Sequence, residues 1–257
     1  MQRDSIKNTF LVAGLLCIIC SLLVSATAVG LRKKQQLNKE LDQKKKILRV
    51  CKIEFEPHAI DQVFQQNIHP RLVNLETGEY VEKTQTGGLD LMQYDLKKVL
   101  VSDGTDLTDD PAGLGGRREN YAVVYLYPSQ DQIILPIRGR GLWSTLWGYI
   151  ALSKDANTTQ GITFYQHGET PGLGGEVDNP IWKAQWRGKQ AIRDGEVVLQ
   201  VMRQGKVTDP SRQIDGIAGA TITTAGVDRL VRFWLGDQGF GKYLARPDKF
   251  IPAPTLQ

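Results

Sequence analysis

An uncharged apolar run near the N-terminus constrains this chain more than any other feature of its sequence. Residues 9–31 read TFLVAGLLCIICSLLVSATAVGL, 23 positions without a charged side chain. A helix of this length extends about 34 Å, enough to cross the roughly 30 Å hydrocarbon core of a bilayer. A cleaved signal peptide is the alternative, supported by small residues at 25–28, although its apolar core is shorter, about 7–15 residues. We predict a permanent single-pass anchor that contacts membrane lipid through residues 9–31.

Charge is distributed unevenly along the chain. The first 50 residues carry ten Lys or Arg and three acidic residues, which leaves 22 basic and 25 acidic side chains in residues 51–257. A slightly acidic body argues against a nucleic-acid partner, because phosphate binding needs clustered positive charge. The excess of Lys and Arg after the span favours, by itself, a cytoplasmic body. We divide the chain into a tail (1–8), a transmembrane helix (9–31), a basic helical stalk (32–50) and one domain (51–257).

Cysteine and histidine usage excludes several classes of cofactor. Cys17 and Cys20 lie inside the apolar run, and Cys51 stands alone. The three histidines are scattered without metal-ligand spacing. The sequence therefore predicts neither a zinc site nor an iron–sulfur cluster within this chain.

The body combines strand-like and helical patterns. Its apolar runs are separated by turn-rich pieces too short for crossover helices, which predicts antiparallel neighbouring strands at 121–128, 132–139, 145–153, 161–169 and 196–205. Helical patterns occur at 88–101 and after Thr223, and the Gly-rich stretch 102–120 is predicted to be a surface loop. The predicted fold class is α+β, one domain with an antiparallel sheet flanked by helices behind a single N-terminal transmembrane helix.

Two stretches in the middle of the body contain residues that core packing alone does not explain. In GRGLWS (139–144), Trp143 stands beside glycines, which suits a platform for a flat ring but equally suits a core strand. In HGETPGLGG (167–175), Pro171 and the three glycines that follow it predict a tight turn whose amides are free to face a ligand. A purely structural turn is the alternative interpretation of the second stretch.

A third stretch, DGIAGATITTAG (215–226), precedes the last helical pattern. Thr223 or Thr224 suits the N-cap of that helix, with the glycines ending a turn. The same helix start is suited to hold a phosphate, because unpaired amides and the helix dipole both favour an anion there. A Thr hydroxyl at this point is positioned for esterification to that phosphate, although the spacing alone proves nothing.

The motifs GRGLWS, GITFYQHGETPGLGG and DGIAGAT, in this order behind one span, resemble the C subunits of the sodium-translocating NADH:quinone oxidoreductases. The resemblance implies an FMN-binding domain whose FMN is attached through its phosphate, by a dedicated flavin transferase, to the residue that is Thr221 here. Asp215, Gly219 and Ala220 match other fixed positions of that attachment motif. Ala218 stands where the family usually has Ser or Thr. Further flavin contacts implied in the same way are Glu169, Thr170, Gly172, Leu173, Gly174, Trp143 and Ser144.

The resemblance also implies a function within a complex. The chain is expected to relay single electrons through its covalent FMN, with no residue acting as a catalytic acid or base. The expected partners are the A, B, D, E and F subunits, in a complex that passes electrons from NADH to ubiquinone and exports sodium. The family places its flavin domain on the periplasmic side of the inner membrane, and we follow it over the charge distribution.

Three alternatives stay open at the level of sequence. The nearest is the G subunit of the related Rnf-type electron-transport complex, which shares the Thr-FMN pattern. A stand-alone covalent flavoenzyme needs its own substrate-reducing domain, for which the sequence has no evident segment. A membrane-anchored assembly module without cofactor belongs to another functional class, and it predicts a chain that carries no flavin.

Overall fold

The computed structural model describes residues 6–81 and 104–251, which divide into two compact units that meet between residues 42 and 43. The first unit is the greater part of helix α1 (Ile6–Val50), which by length and composition is able to cross a membrane. Its most apolar 18-residue window has a mean hydropathy of 2.5. Ser21 Oγ donates to the Ile18 carbonyl and Thr27 Oγ1 to that of Leu23, both at 2.9 Å. These hydroxyls are thus paired within the helix, as a lipid environment requires.

The second unit begins inside α1 and contains all the remaining elements. Its strands are β1 (His69–Asn74), β2 (Gly104–Asp106), β3 (Arg117–Glu119), β4 (Tyr121–Tyr127), β5 (Gln132–Arg140), β6 (Thr145–Ser153), β7 (Thr159–Gln166), β8 (Ile192–Arg193), β9 (Glu196–Val197), β10 (Gln200–Val201) and β11 (Gln213–Ile214). Its helices are α2 (Ile60–Asn67), α3 (Pro180–Ala184), α4 (Thr221–Leu235) and α5 (Gly241–Leu244). The sequence-based boundary between stalk and domain, at residues 50 and 51, stays a prediction.

Five strands form the central sheet in the order β1-β4-β5-β6-β7, with every neighbouring pair antiparallel. The strands predicted at 121–128, 132–139, 145–153 and 161–169 correspond to β4 through β7, so this part of the prediction is confirmed. Strand β1 was not predicted; it pairs along β4 from His69 opposite Leu126 to Asn74 opposite Tyr121. Short connections join β4 to β7 as a meander, which places the 141–144 loop at one edge of the sheet.

The strand predicted at 196–205 is wrong. The backbone amides of Val198 and Leu199 both donate to the carbonyl of Ala191, at 2.9 and 3.3 Å, which ends strand pairing in the middle of the apolar run. The run is therefore divided between β9, which pairs with β8, and β10, which pairs in parallel with β11. Neither pair joins the central sheet.

The prediction of a surface loop at 102–120 is wrong in three places, because residues 104–106 and 117–119 pair as β2 and β3, and Ala112 between them is buried in the main core. Glu119, in β3, forms an ion pair of 2.6 Å with Arg138, and both side chains are almost completely buried. Because an unpaired buried charge is costly, this pair ties the end of the Gly-rich stretch to the sheet. The helix predicted at 88–101 lies outside the described residues.

The alternation of side chains along the strands creates a buried layer on each face of the sheet. One face contributes aliphatic residues such as Val124, Leu135 and Ile150 to the main core, which also contains α4. On the other face, the ring of Tyr125 makes edge-to-face contacts with Tyr149 and with Phe64 of α2. The end of α1 closes this second layer, where Ile47 and Leu48 have no exposed surface. Helices thus flank both faces of the sheet, as predicted.

Helix α4 packs directly on strand β5 because glycines remove side chains from the contact. A Cβ on Gly139 would lie 2.5 Å from Leu230 Cβ, and one on Gly226 would lie 2.4 Å from the Arg140 carbonyl oxygen. The indole nitrogen of buried Trp234 donates to the Arg138 carbonyl at 2.7 Å. The position of α4 is therefore fixed against the strand that leads into the 141–144 loop.

The Gly226 contact predicts that Gly226→Ala destabilises the protein. Alanine is the better helix former by about 1 kcal/mol, but its methyl group collides with backbone that cannot rotate away, a strain of about 1–3 kcal/mol. We expect the strain to prevail and lower Tm, by about 2–4 °C per kcal/mol, in thermal unfolding of the detergent-solubilised chain. Gly168→Ala is the control, since its Cβ would lie 3.4 Å from Ser144 Cβ, an ordinary contact. An unchanged or raised Tm in Gly226→Ala would contradict this packing.

Candidate functional site

The carboxylate of Glu169 joins three separate stretches of the chain. Its Oε1 accepts hydrogen bonds from the backbone amides of Trp143 and Ser144, each at 3.0 Å, and from Ser144 Oγ at 3.1 Å. Its Oε2 accepts from the amide of Leu142 at 3.1 Å and from Thr223 Oγ1 at 2.7 Å. The 141–144 loop, the turn after β7 and the first turn of α4 therefore meet at one side chain.

This carboxylate is buried, with 5% of Glu169 exposed. Burial opposes the charged form and is the largest single influence on the pKa of Glu169. The hydrogen bonds from Thr223 and from the amides of Trp143, Leu142 and Ser144 together outweigh burial and lower this pKa below its usual value. Among the described residues, no Lys, Arg or His forms an ion pair with Glu169, so polar donors alone stabilise the charge.

Two glycines from different motifs leave room for the carboxylate. A Cβ on Gly141 would lie 2.6 Å from Glu169 Oε1. A Cβ on Gly174 would lie 2.6 Å from Thr223 Oγ1 and 2.8 Å from Glu169 Oε2. Because side-chain carbons do not approach this closely, glycine is needed at both positions to close the site around Glu169.

The turn after β7 is internally bonded to a greater extent than the sequence predicts. The amides of Leu173 and Gly175 both donate to the Thr170 carbonyl, at 3.1 and 2.9 Å, and the Glu176 amide donates to the Leu173 carbonyl at 3.0 Å. The prediction of amides free to face a ligand is therefore wrong for these three. Gly172 has φ of +75°, the left-handed conformation that glycine adopts at little cost. The side chains of Thr170 and Leu173 remain exposed at the tip of the turn.

The segment 215–221 is held at its beginning and accessible at its end. Asp215 Oδ1 accepts from the amides of Gly205 and Gly216, at 2.7 and 3.1 Å, and its carbonyl accepts from Trp182 Nε1 at 2.9 Å. By contrast, Ala218 and Gly219 are exposed, and a Cβ on Gly219 would lie 2.9 Å from Leu173 Cδ2. The Ala218 position is therefore open to solvent.

Helix α4 begins at Thr221, so the prediction of Thr223 or Thr224 as its N-cap is wrong. Both residues are buried inside the first turn. The Thr223 hydroxyl bonds Glu169, and Thr224 Oγ1 accepts from the Ile217 amide at 3.1 Å. The N-cap residue is Ala220, and within the described residues no side chain caps this helix. Thr221 itself is exposed, which leaves its hydroxyl accessible at the first helical position.

Apolar side chains surround this helix start without being buried. Trp143 is 67% exposed, Ile222 55%, Leu173 45% and Leu142 39%. The interpretation of Trp143 as a core residue is therefore wrong, whereas its role as a platform for a flat ring stays a prediction. The four side chains lie around the place where the 141–144 loop, the turn after β7 and the first turn of α4 meet. Glu169 bonds both the loop and the helix, and Leu173 contacts Gly219.

The structure brings together predicted site residues from all three motifs. Trp143, Ser144, Glu169 and Gly174 contact one another or share a partner, and Gly219 of the third motif lies against Leu173. Asp215 instead accepts from the amide of Gly205 in the 202–206 turn. Sequence reasoning missed the roles of Gly141 and Thr223. Gly141 lay within a quoted motif, but its contact with Glu169 spans 28 positions and has no local signal. Thr223 was assigned to capping because short-range patterns suggest only short-range partners.

Comparisons with known proteins give matches over most of the chain. Residues 141–236 match the FMN-binding domain family. The chain is 41% identical over 253 residues to the C subunit of the Na(+)-translocating NADH-quinone reductase of Vibrio parahaemolyticus, an alignment that covers 95% of this chain and 96% of that protein. The corresponding protein of Haemophilus ducreyi is 38% identical, again over 95% of both chains.

Solved structures are similar over most of the chain. The crystal structure of Shewanella oneidensis NqrC has a TM-score of 0.73 and 28% identity, and the match covers 81% of this chain and 97% of that one. The crystal structure of the C subunit from Parabacteroides distasonis has a TM-score of 0.67 and 30% identity over 85% and 98% of the two chains. The resemblance and the fold class predicted from the sequence are confirmed.

The lowered pKa of Glu169 predicts a pH-dependent contribution to stability. We expect Glu169→Gln to lower the free energy of unfolding by about 2–3 kcal/mol at neutral pH, because hydrogen bonds to a charged acceptor are lost. A carboxyl with a depressed folded-state pKa contributes fully above its unfolded value, near 4.5, and loses the contribution as pH falls through the folded value. The difference between wild type and variant, from urea unfolding of the solubilised chain, should be constant above about pH 5 and shrink in acid. A difference that grew in acid would contradict an ionised Glu169.

Proposed function

Because this chain belongs to the C-subunit family of the Na(+)-translocating NADH-quinone reductases, we propose that it relays single electrons through FMN attached by a phosphoester to Thr221. Family membership makes it an FMN-binding subunit of an oxidoreductase complex, anchored in the bacterial inner membrane by one helix. The attachment at Thr221, the relay and the coupling to sodium export are our proposals. The observation that carries them is the exposed hydroxyl of Thr221 at the uncapped start of α4.

The start of α4 suits a phosphate group. The first three amides of a helix have no partner within it, and the helix dipole places partial positive charge at this end. The first turn of α4 has no acidic residue of its own, and the Glu169 carboxylate bonded to that turn accepts from the Thr223 side chain, not from a helix amide. A phosphoester on Thr221 would therefore be stabilised by α4 itself. Gly219 and Ala220, immediately before it, add no side chain large enough to obstruct the approach.

The exposed apolar rim suits the rest of the cofactor. Trp143, Leu142, Leu173 and Ile222 offer aromatic and aliphatic surface of the kind that covers a flat, largely apolar ring system. Thr170 and Gly172 border the same rim at the tip of the turn, and buried Gly174 lies below it. When bound, FMN supplies the electron-transfer chemistry, and the chain has to hold and orient it. In this proposal no side chain here acts as an acid or base during electron transfer.

Attachment itself is a substitution at phosphorus. The Thr221 oxygen loses its proton and forms a new P–O bond to the FMN phosphorus of a flavin dinucleotide donor. The P–O bond of the donor's phosphoanhydride breaks, and the rest of the donor leaves as a nucleoside monophosphate, with no change in oxidation state. Thr223 and Thr224 are poorer acceptors because they are buried and their hydroxyl oxygens already take part in hydrogen bonds. The base that removes the proton is assigned to the flavin transferase. Asp215, whose Oδ1 accepts two amides, is assigned to holding the motif in shape.

Membership of the complex implies contacts with other subunits, which we propose are the A, B, D, E and F subunits. We further propose that the FMN-binding domain is periplasmic. The Lys- and Arg-rich segment after the span opposes this orientation, but a domain of about 200 residues is translocated largely regardless of such charge.

Replacing the Thr221 hydroxyl should abolish flavin attachment. We expect the wild-type chain, produced with the flavin transferase, to gain the mass of one FMN less one water and to fluoresce on a denaturing gel. Thr221→Val keeps the shape of the side chain without the hydroxyl, and should lose both signals. Thr221→Ser, which keeps a hydroxyl, is the matched control and should retain them. A denatured wild-type chain without flavin, or a flavinylated Thr221→Val, would refute the attachment.

Sidedness is tested separately from attachment. A single cysteine introduced at exposed Lys206, with Cys17, Cys20 and Cys51 replaced by serine, should react with a membrane-impermeant maleimide in cells whose outer membrane is permeabilised. A second cysteine variant at position 2, before the span, should react only after the inner membrane is lysed. The reverse pattern would place the domain in the cytoplasm and overturn the proposed orientation.

A further inference from the structure

We propose that Glu169 is a positioning residue, which fixes the 141–144 loop, with Trp143 on it, relative to the start of α4 and acts on the flavin through that loop. The resemblance on its own assigns Glu169 to the residues that touch the flavin. Its hydrogen bonds in this structure assign it a different task. The effect on bound flavin rests on the proposed function, whereas the effect on the loop does not.

The first support is that the carboxylate has no remaining capacity for a ligand. An ionised carboxylate offers about four acceptor positions. Glu169 already accepts five hydrogen bonds from the protein, three at Oε1 and two at Oε2. As an ion it has no proton to donate, and it is 5% exposed. A flavin N–H would have to displace a backbone amide in order to bond it.

The second support is the way in which Trp143 is held. Its indole is 67% exposed, so packing against the domain does little to fix its position. Its backbone is fixed instead, because three consecutive amides, those of Leu142, Trp143 and Ser144, all donate to Glu169. The carboxylate therefore fixes the backbone from which the indole projects.

The third support is the connection to Thr221. Glu169 Oε2 accepts from Thr223 Oγ1 at 2.7 Å, two residues after the proposed attachment point and on the same helical turn. One carboxylate thus sets the separation between the aromatic surface of Trp143 and the phosphate anchor. Gly141 and Gly174 permit this close junction, since a Cβ on either would lie less than 3 Å from a carboxylate oxygen.

The positioning role is testable before any flavin is attached. In the full chain produced without flavin transferase, we expect Glu169→Gln to accelerate hydrogen–deuterium exchange of the Leu142, Trp143 and Ser144 amides about tenfold or more. Glu176→Gln is the matched control, because Glu176 lies in the same turn and its carboxylate accepts from Asn179 Nδ2 at 2.7 Å. The control should leave these three amides unchanged. Unchanged exchange in Glu169→Gln would overturn the proposal.

A milder pair of variants covers the case in which Glu169→Gln unfolds the domain. Thr223→Val removes one donor to the carboxylate at nearly constant shape, and Thr223→Ser restores it. We expect faster exchange at 142–144 in the valine variant and near wild-type exchange in the serine variant. Equal exchange in the two variants would show that the Thr223 bond does not hold the loop, and would overturn the connection to α4.

With flavin attached, a double-mutant cycle separates positioning from direct contact. We expect Glu169→Gln to retain covalent flavin at Thr221 and to change the visible circular dichroism of the bound flavin. The change should disappear when Trp143→Ala is already present, because Glu169 acts through the Trp143 loop. A change of the same size in both backgrounds would mean that Glu169 acts on the flavin directly, contrary to the proposal. A wild-type chain without flavin would refute Thr221 attachment while leaving the exchange result as the test of Glu169.

Discussion

The site depends on one buried anion. Transferring a carboxylate from water into a protein interior costs several kcal/mol unless hydrogen bonds replace its hydration. Glu169 meets that requirement with donors from two other parts of the chain, the 142–144 amides and hydroxyl and the Thr223 hydroxyl. The buried charge is stabilised when these donors are assembled around it. The carboxylate therefore favours one arrangement of the 141–144 loop, the turn after β7 and the first turn of α4.

The rest of the domain positions these donors around the Glu169 carboxylate. The meander ends β5 and begins β6 at the 141–144 loop, and β7 leads directly into the turn that carries Glu169. Helix α4 reaches the junction because Gly139 and Gly226 allow it to lie against β5. The first turn of α4 then offers an exposed, uncapped Thr221 beside exposed Trp143 and Leu173, an arrangement suited to a phosphate-tethered flat cofactor.

Local patterns predicted part of this architecture. Apolar runs bounded by turn-rich pieces placed β4 through β7, because these signals lie within each strand and its neighbouring turns. The break at Val198 and Leu199 was missed, since it depends on their shared acceptor, the Ala191 carbonyl. Motif resemblance identified Glu169 and Trp143 as site residues but not how they interact. The burial of Glu119 against Arg138, and of Thr223 against Glu169, depends on tertiary contacts that no local pattern contains.

Thr221 is proposed as the single attachment point among three threonines within four residues. The most direct test is fragmentation mass spectrometry of the tryptic peptide 213–229 from the chain isolated with its complex. We expect an FMN phosphoester on Thr221 and unmodified Thr223 and Thr224, because only Thr221 is exposed and the other two hydroxyls take part in internal hydrogen bonds. Flavin on Thr223 or Thr224, or a peptide without flavin, would show that the attachment point is wrong.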